Sequence, residues 1–178
     1  MKKHTASILT RVATLVAIFA TASVYASNPE NITVNSNVPT VANLAVNTNT
    51  VTLDFLAGDY DMNTGIAFKS ASAGSSFQVA TNRNWTLSVK SGAANFSYTP
   101  SNGTDTATKP AGDLGFKLSS AGSYTAVSTS DQTVTTGSRG GYGVSGNSPV
   151  VDYVLWSYLN QDSPGSYSLT LVYTLTSS

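Results

Sequence analysis

Beyond residue 26 the chain alternates. Ser, Thr, Asn and Gly fill one set of positions, and Val, Leu, Ile, Tyr and Phe fill the other, with a period of two. Successive side chains of a strand point to opposite faces, so this alternation predicts strands with one face buried and no helix. The predicted strands are Asn31–Asn37, Thr50–Leu56, Ile66–Lys69, Ser76–Ala80, Trp85–Val89, Asn95–Tyr98, Leu114–Leu118, Ser123–Val127, Gln132–Thr135, Val150–Leu159 and Gly165–Thr176. Turn-rich stretches at Gly58–Gly65, Ser91–Ala94, Pro100–Gly112 and Gly137–Pro149 separate them. Short strands punctuated this often predict an all-β fold, specifically an immunoglobulin-like antiparallel β-sandwich, over residues 41–178.

Two of these runs stand apart. Val150–Leu159 is apolar on both faces, with Val151, Tyr153 and Leu155 on one side and Val154, Trp156 and Tyr158 on the other. Such a strand is either central and covered on both sides or part of an interface. In the last run Gly165, Tyr167, Leu169, Leu171, Tyr173 and Leu175 share a face, opposite Ser166, Ser168, Thr170, Val172, Thr174 and Thr176.

The N-terminus has a different pattern. Lys2, Lys3, His4 and Arg11 make it basic, the run Val12–Ala22 is apolar, and Val24-Tyr25-Ala26 places small or apolar side chains at −3 and −1. This reads as a signal peptide over residues 1–26, cleaved after Ala26, with a retained membrane anchor as the other reading. The run is short of the ~20 residues a spanning helix needs. Residues 27–40 form an N-terminal extension. The chain has 178 residues, so removing 26 leaves 152, which fits one domain. Lys2, Lys3 and Arg11 leave with the signal, so six basic residues face nine acidic ones, a net charge of −3. No basic stripe is present, and nucleic acid is not an expected partner. The expected location is outside the cytoplasm, secreted or at the cell surface. Cysteine is absent, so packing and ladder hydrogen bonds must hold the domain.

Catalytic chemistry finds little material. The sole histidine, His4, lies in the signal peptide, and Glu30 is the sole glutamate. A Ser-His-Asp arrangement cannot be assembled, and neither an enzyme nor a cofactor is expected. Gly141-Tyr142-Gly143-Val144-Ser145-Gly146 matches G-x-G-x-x-G, but without the strand before it and the helix after it the match reads as a loop. Asp59, Asp61 and Asn63 place oxygens at alternate positions, a weak calcium candidate. Ser70 stands where a bidentate acid would be needed, and a polar turn is the competing reading. Four N-x-Ser/Thr triplets are chance products of this composition.

The two ends resemble known surface proteins. Gly165 is fourteenth from the C-terminus and is followed by the alternating Leu169, Leu171, Tyr173 and Leu175. This is similar to the β-zipper strand that ends subunits of chaperone–usher pili, although Ser177 replaces the usual penultimate aromatic. The segment Glu30–Thr40 resembles the N-terminus of CS1/CFA/I-like class 5 major pilins, which also lack cysteine. The resemblance implies a fimbrial (pilus) subunit, assembling by donor-strand complementation, with Ile32, Val34 and Val38 as plug residues. The implied partners are neighbouring copies or related subunits, with a periplasmic chaperone and an usher. A second resemblance is to WxL cell-surface modules, through Trp85-Thr86-Leu87 and Tyr173-Thr174-Leu175, with tyrosine in place of the second tryptophan. It implies a wall-binding role, with peptidoglycan or another glycan as ligand. Whether the N-terminal strand pairs within its own chain or with a neighbour is left open by the residues.

Overall fold

A computed structural model describes residues 33–178. The signal-peptide residues 1–26 and Ile32 lie outside the described residues. Residues 33–38 carry no ladder, and Val34 and Val38 are exposed, at 85% and 75%. The remainder, Pro39–Ser178, forms one compact unit. It is all-β, with antiparallel pairing throughout.

Ten strands occur in chain order: β1 (Ala42–Val46), β2 (Ile66–Thr81), β3 (Trp85–Ser91), β4 (Ser97–Pro100), β5 (Leu114–Leu118), β6 (Thr125–Ala126), β7 (Gln132–Gly137), β8 (Val150–Tyr158), β9 (Gly165–Ser168) and β10 (Leu171–Ser177). They form a five-stranded sheet in the order β1-β2-β8-β5-β6, a three-stranded sheet in the order β10-β3-β7, and a separate β4-β9 pair. One apolar core is shared by the two larger sheets. Phe77 and Val79 come from β2, Leu114 and Phe116 from β5, and Val151, Tyr153 and Leu155 from β8; Trp85, Leu87 and Val89 face them from β3. Each fully buried side chain of this size contributes about 1.5–3 kcal/mol. Strand β3 shows the cause most simply: its odd positions are buried and its even positions, Thr86, Ser88 and Lys90, are half-buried. Strand β8 is central between β2 and β5, and both of its faces are covered. Val154 is buried on the outer face, and Trp156 and Tyr158 are half-buried there.

Several strand boundaries differ from the sequence expectation. Ile66–Lys69 and Ser76–Ala80 are one strand, β2, interrupted by an irregularity between Ala71 and Ser75. Ala42–Val46 forms a strand that its weak alternation did not predict. Asn95–Tyr98 shifts to β4, and Ser123–Val127 shrinks to the two residues of β6. Thr50–Leu56 is extended but pairs with no strand among the described residues, and residues 33–37 are not a strand. The terminal run Gly165–Thr176 is divided. Gly165 and Tyr167 pair with Pro100 and Tyr98 in the β4-β9 pair, and only residues from Leu171 onward join β3. Gly165 is dictated by this close approach: a Cβ there would lie 2.4 Å from both Thr99 O and Tyr98 Cε2.

The β2 irregularity is braced by Asp152 on β8. Ala73 adopts a left-handed φ of 52°, a conformation costing about 1–2 kcal/mol for a residue with a Cβ. Its N–H donates to Asp152 Oδ1 at 2.7 Å, and Ser119 Oγ donates to the same oxygen at 2.5 Å. Lys117 Nζ is 3.7 Å from Oδ2. The Ser119 hydrogen bond, then the Ala73 N–H and Lys117, hold the Asp152 carboxyl below its ordinary range despite burial. A carboxyl depressed in the folded state adds stability above its unfolded value of about 3.9, and that stability is lost as pH falls through the folded value. The melting temperature should therefore fall on acidification below about pH 4. Asp152→Asn should flatten that acid limb while lowering the neutral-pH plateau, as read from thermal melts across pH.

Candidate functional site

The candidate site is an unclosed seam between the two larger sheets, built from β10, β1 and the extended stretch that follows β1. Pairing on β10 sets its chemistry. Gly92 N–H donates to Thr170 O and Ser178 N–H donates to Asn84 O, in register with the Leu171↔Ser91 to Ser177↔Trp85 pairing. In an antiparallel ladder the bonded pairs recur every second residue, so the even residues of β10 bond to β3. The odd residues, Leu171, Tyr173 and Leu175, turn their N–H and C=O groups to the opposite edge. Among the described residues nothing bonds to those groups. The strand carries no charge and no proline, the usual guards of an open edge.

Side-chain burial agrees with the hydrogen bonding. The core-facing row of β3 is fully buried, whereas Leu171, Tyr173 and Leu175 beside it are only half-buried. Across the seam, β1 comes within 8 Å of β10 between Cα atoms but does not pair with it. Residues 48–55 then run extended with no backbone hydrogen bond among the described residues. The alternate side chains Val51, Leu53 and Phe55 of this stretch pack, half-buried, on the same core. Val51 and Tyr173 flank one residue, Tyr153. A Cβ on Gly74 would touch both the Tyr153 ring and Val51 Cγ2, and the Tyr153 and Tyr173 hydroxyls lie 2.7 Å apart. Tyr173 also packs on Phe77, with ring centroids 4.5 Å apart. Burial pushes the Tyr173 phenol above its ordinary value, and Tyr153 adds to the shift. The seam is thus floored by Tyr153 and Tyr173 and lined on both sides by apolar rows and by backbone groups without partners among the described residues.

The other candidate residues fall elsewhere. Trp85 and Leu87 lie next to Leu175 and Tyr173 through the β3-β10 pairing, so the WxL-like residues do come together on one sheet. However, Trp85 is 1% exposed, and its Nε1–H points to Ser138 O and Asn147 Oδ1, each at 3.1 Å. Asp59 is engaged by Lys69 at 2.7 Å and by the Leu56 N–H at 2.6 Å, and Asp61 accepts the Asn63 N–H at 2.8 Å. These carboxylates shape a turn. The Gly141–Gly146 stretch is a loop leading to the buried Asn147, whose role as partner of Trp85 had no sequence signal. Surface depressions among the described residues include one of about 600 Å³ and one of about 370 Å³. Phe96 and Leu169 line the first, and Leu118, Pro149 and Val150 line the second; neither lining contains a carboxylate, imidazole or amine.

No known family matches the sequence, and no curated protein matches it.

Proposed function

We propose that this chain is an exported structural or adhesive surface subunit, an immunoglobulin-like β-sandwich lacking one strand, which assembles by accepting a strand from a neighbour. The observation that carries the reading is the edge of β10: among the described residues, the odd residues Leu171, Tyr173 and Leu175 have no partner for their N–H and C=O groups, beside half-buried apolar side chains. An added strand would gain affinity from main-chain bonds and specificity from side-chain positions spaced by two. The N-terminal extension has the matching pattern, with Ile32, Val34 and Val38 at even positions. Supplied from one subunit to the next, it produces a head-to-tail contact that does not close on itself, and hence a fimbrial filament. A periplasmic chaperone and usher fit this reading, since a bare edge of this kind aggregates.

Truncation tests it. A chain lacking Ser27–Val38 should fail to form filaments alone. A peptide spanning Asn31–Thr40 should raise its melting temperature in a concentration-dependent way. A ligand binding only the folded form at a hundredfold over its Kd adds about 2.7 kcal/mol. Charged substitutions at Ile32 and Val34 in the peptide should abolish the rise. A truncated chain that still forms filaments, or that ignores the peptide, would contradict the proposal.

A further inference from the structure

Lys109 has no part in the seam and no sequence signal, yet it is among the most deeply buried side chains described, at 1% exposure. Its Nζ lies 2.6 Å from Asp162 Oδ2, 2.6 Å from Trp156 O and 3.2 Å from Asp113 Oδ2. The Tyr158 and Tyr167 rings stand 5.8 and 5.9 Å from it, and Tyr98 stacks on Tyr167 at 4.8 Å. Asp162 Oδ2 also accepts from Ser157 Oγ at 2.9 Å and from the Tyr158 N–H at 3.0 Å, whereas its Oδ1 has no partner among the described residues. An amine and a carboxyl are therefore pressed together in an aromatic enclosure, with a second carboxylate touching the same nitrogen.

We propose that Lys109 and Asp162 are joined by an intramolecular isopeptide bond, formed after folding with Asp113 as the proton carrier. The step balances within the chain. The Lys109 ammonium passes a proton to Asp113, and the freed lone pair forms the Nζ–Cγ bond to Asp162. Nitrogen loses a second proton, and Asp162 Oδ2 takes up both protons and departs as water. Oδ1 remains as the amide oxygen. Ammonium and carboxylate become amide and water, with no change of oxidation state and no external reactant.

Three physical arguments favour the bond over a permanent ion pair. A buried ammonium and carboxylate are costly to hold out of water, and condensation removes both charges. Fixed contact supplies a very high local concentration, with effective molarities of roughly 10⁵–10⁸ M for well-oriented groups. The third group, Asp113, stands where protons must move. The bond would tie the segment between β4 and β5 to the turn between β8 and β9. In a chain without cysteine it would be a covalent tie between segments far apart in sequence.

Intact mass spectrometry of the folded exported protein tests this without any variant. The expected mass is lower by one water than the mass of residues 27–178, the chain left after signal cleavage. Fragmentation should yield a branched peptide joining Lys109 to Asp162. Lys109→Arg should restore the full mass, and Asp113→Asn, checked for folding by circular dichroism, should leave most chains unlinked. Folded wild-type protein at full mass would overturn the proposal and leave an ion pair only. Loss of water without the branched peptide would overturn it too, by placing the dehydration elsewhere. Strand addition at the seam does not depend on this bond.

Discussion

Trp85→Ala is expected to cost about 3–5 kcal/mol from lost burial and cavity formation alone. The indole is 1% exposed at the centre of the core, and it lies so close on Gly137 that a Cβ there would sit 2.2 Å from Trp85 Cζ2. The loss also strips the indole N–H from Asn147 Oδ1, in a residue with no exposure. An orphaned buried acceptor adds about 1–3 kcal/mol. Domains of this size have a total stability of about 5–15 kcal/mol, so the variant should be largely or wholly unfolded near body temperature. Denaturant titration followed by tryptophan-independent far-ultraviolet dichroism reads the effect. A glycan-stacking Trp85 would behave in the opposite way, losing binding while keeping its denaturation midpoint.

Leu175→Pro is expected to leave the domain folded and to suppress assembly at least tenfold. The Leu175 N–H points to the open edge, so proline removes no bond to β3. Proline is tolerated on edge strands in that orientation alone. An incoming strand, by contrast, loses a main-chain bond to this edge, and about 1.4 kcal/mol is a factor of ten in affinity. Thr174→Pro is the matched control. Its N–H serves the β3 ladder, so that variant should lose fold stability itself, by about 1–3 kcal/mol for the orphaned partner. Analytical sedimentation and electron microscopy, with dichroism as the folding check, distinguish the two. Equal assembly in wild type and Leu175→Pro would argue against the seam as the contact.

The alternation along the chain revealed the all-β class and the core-facing residues of β3, whose positions alternate between buried and half-buried, and β8 was legible as a strand apolar on both faces, which is covered on both. It did not reveal pairing. Val51, Leu53 and Phe55 alternate as strand residues do, and their side chains are placed accordingly, but their backbone has no hydrogen-bond partner among the described residues. Periodicity reports side-chain burial and is silent on where N–H and C=O groups go. For the same reason the terminal run looked continuous. Its alternation carries through Leu169 and Thr170, while the chain leaves β4 for β3 at that point. Lys109 and Asp162 were invisible because a buried charge depends on a partner 53 positions away. The WxL-like pair shows the converse. The pairing puts Leu87 opposite Leu175 and Trp85 opposite Ser177, but sequence could not show that the tryptophan faces inward.

Hydrogen exchange at single amides of β10 tests strand addition most directly. In dissociated protein the amides of Val172 and Thr174 should exchange slowly, held by β3, while those of Leu171, Tyr173 and Leu175 exchange fast. In assembled material the odd set should become as protected as the even set. Odd amides that stay fast in filaments, or that are already protected in a concentration-independent monomer, would contradict the reading of β10 as an acceptor edge.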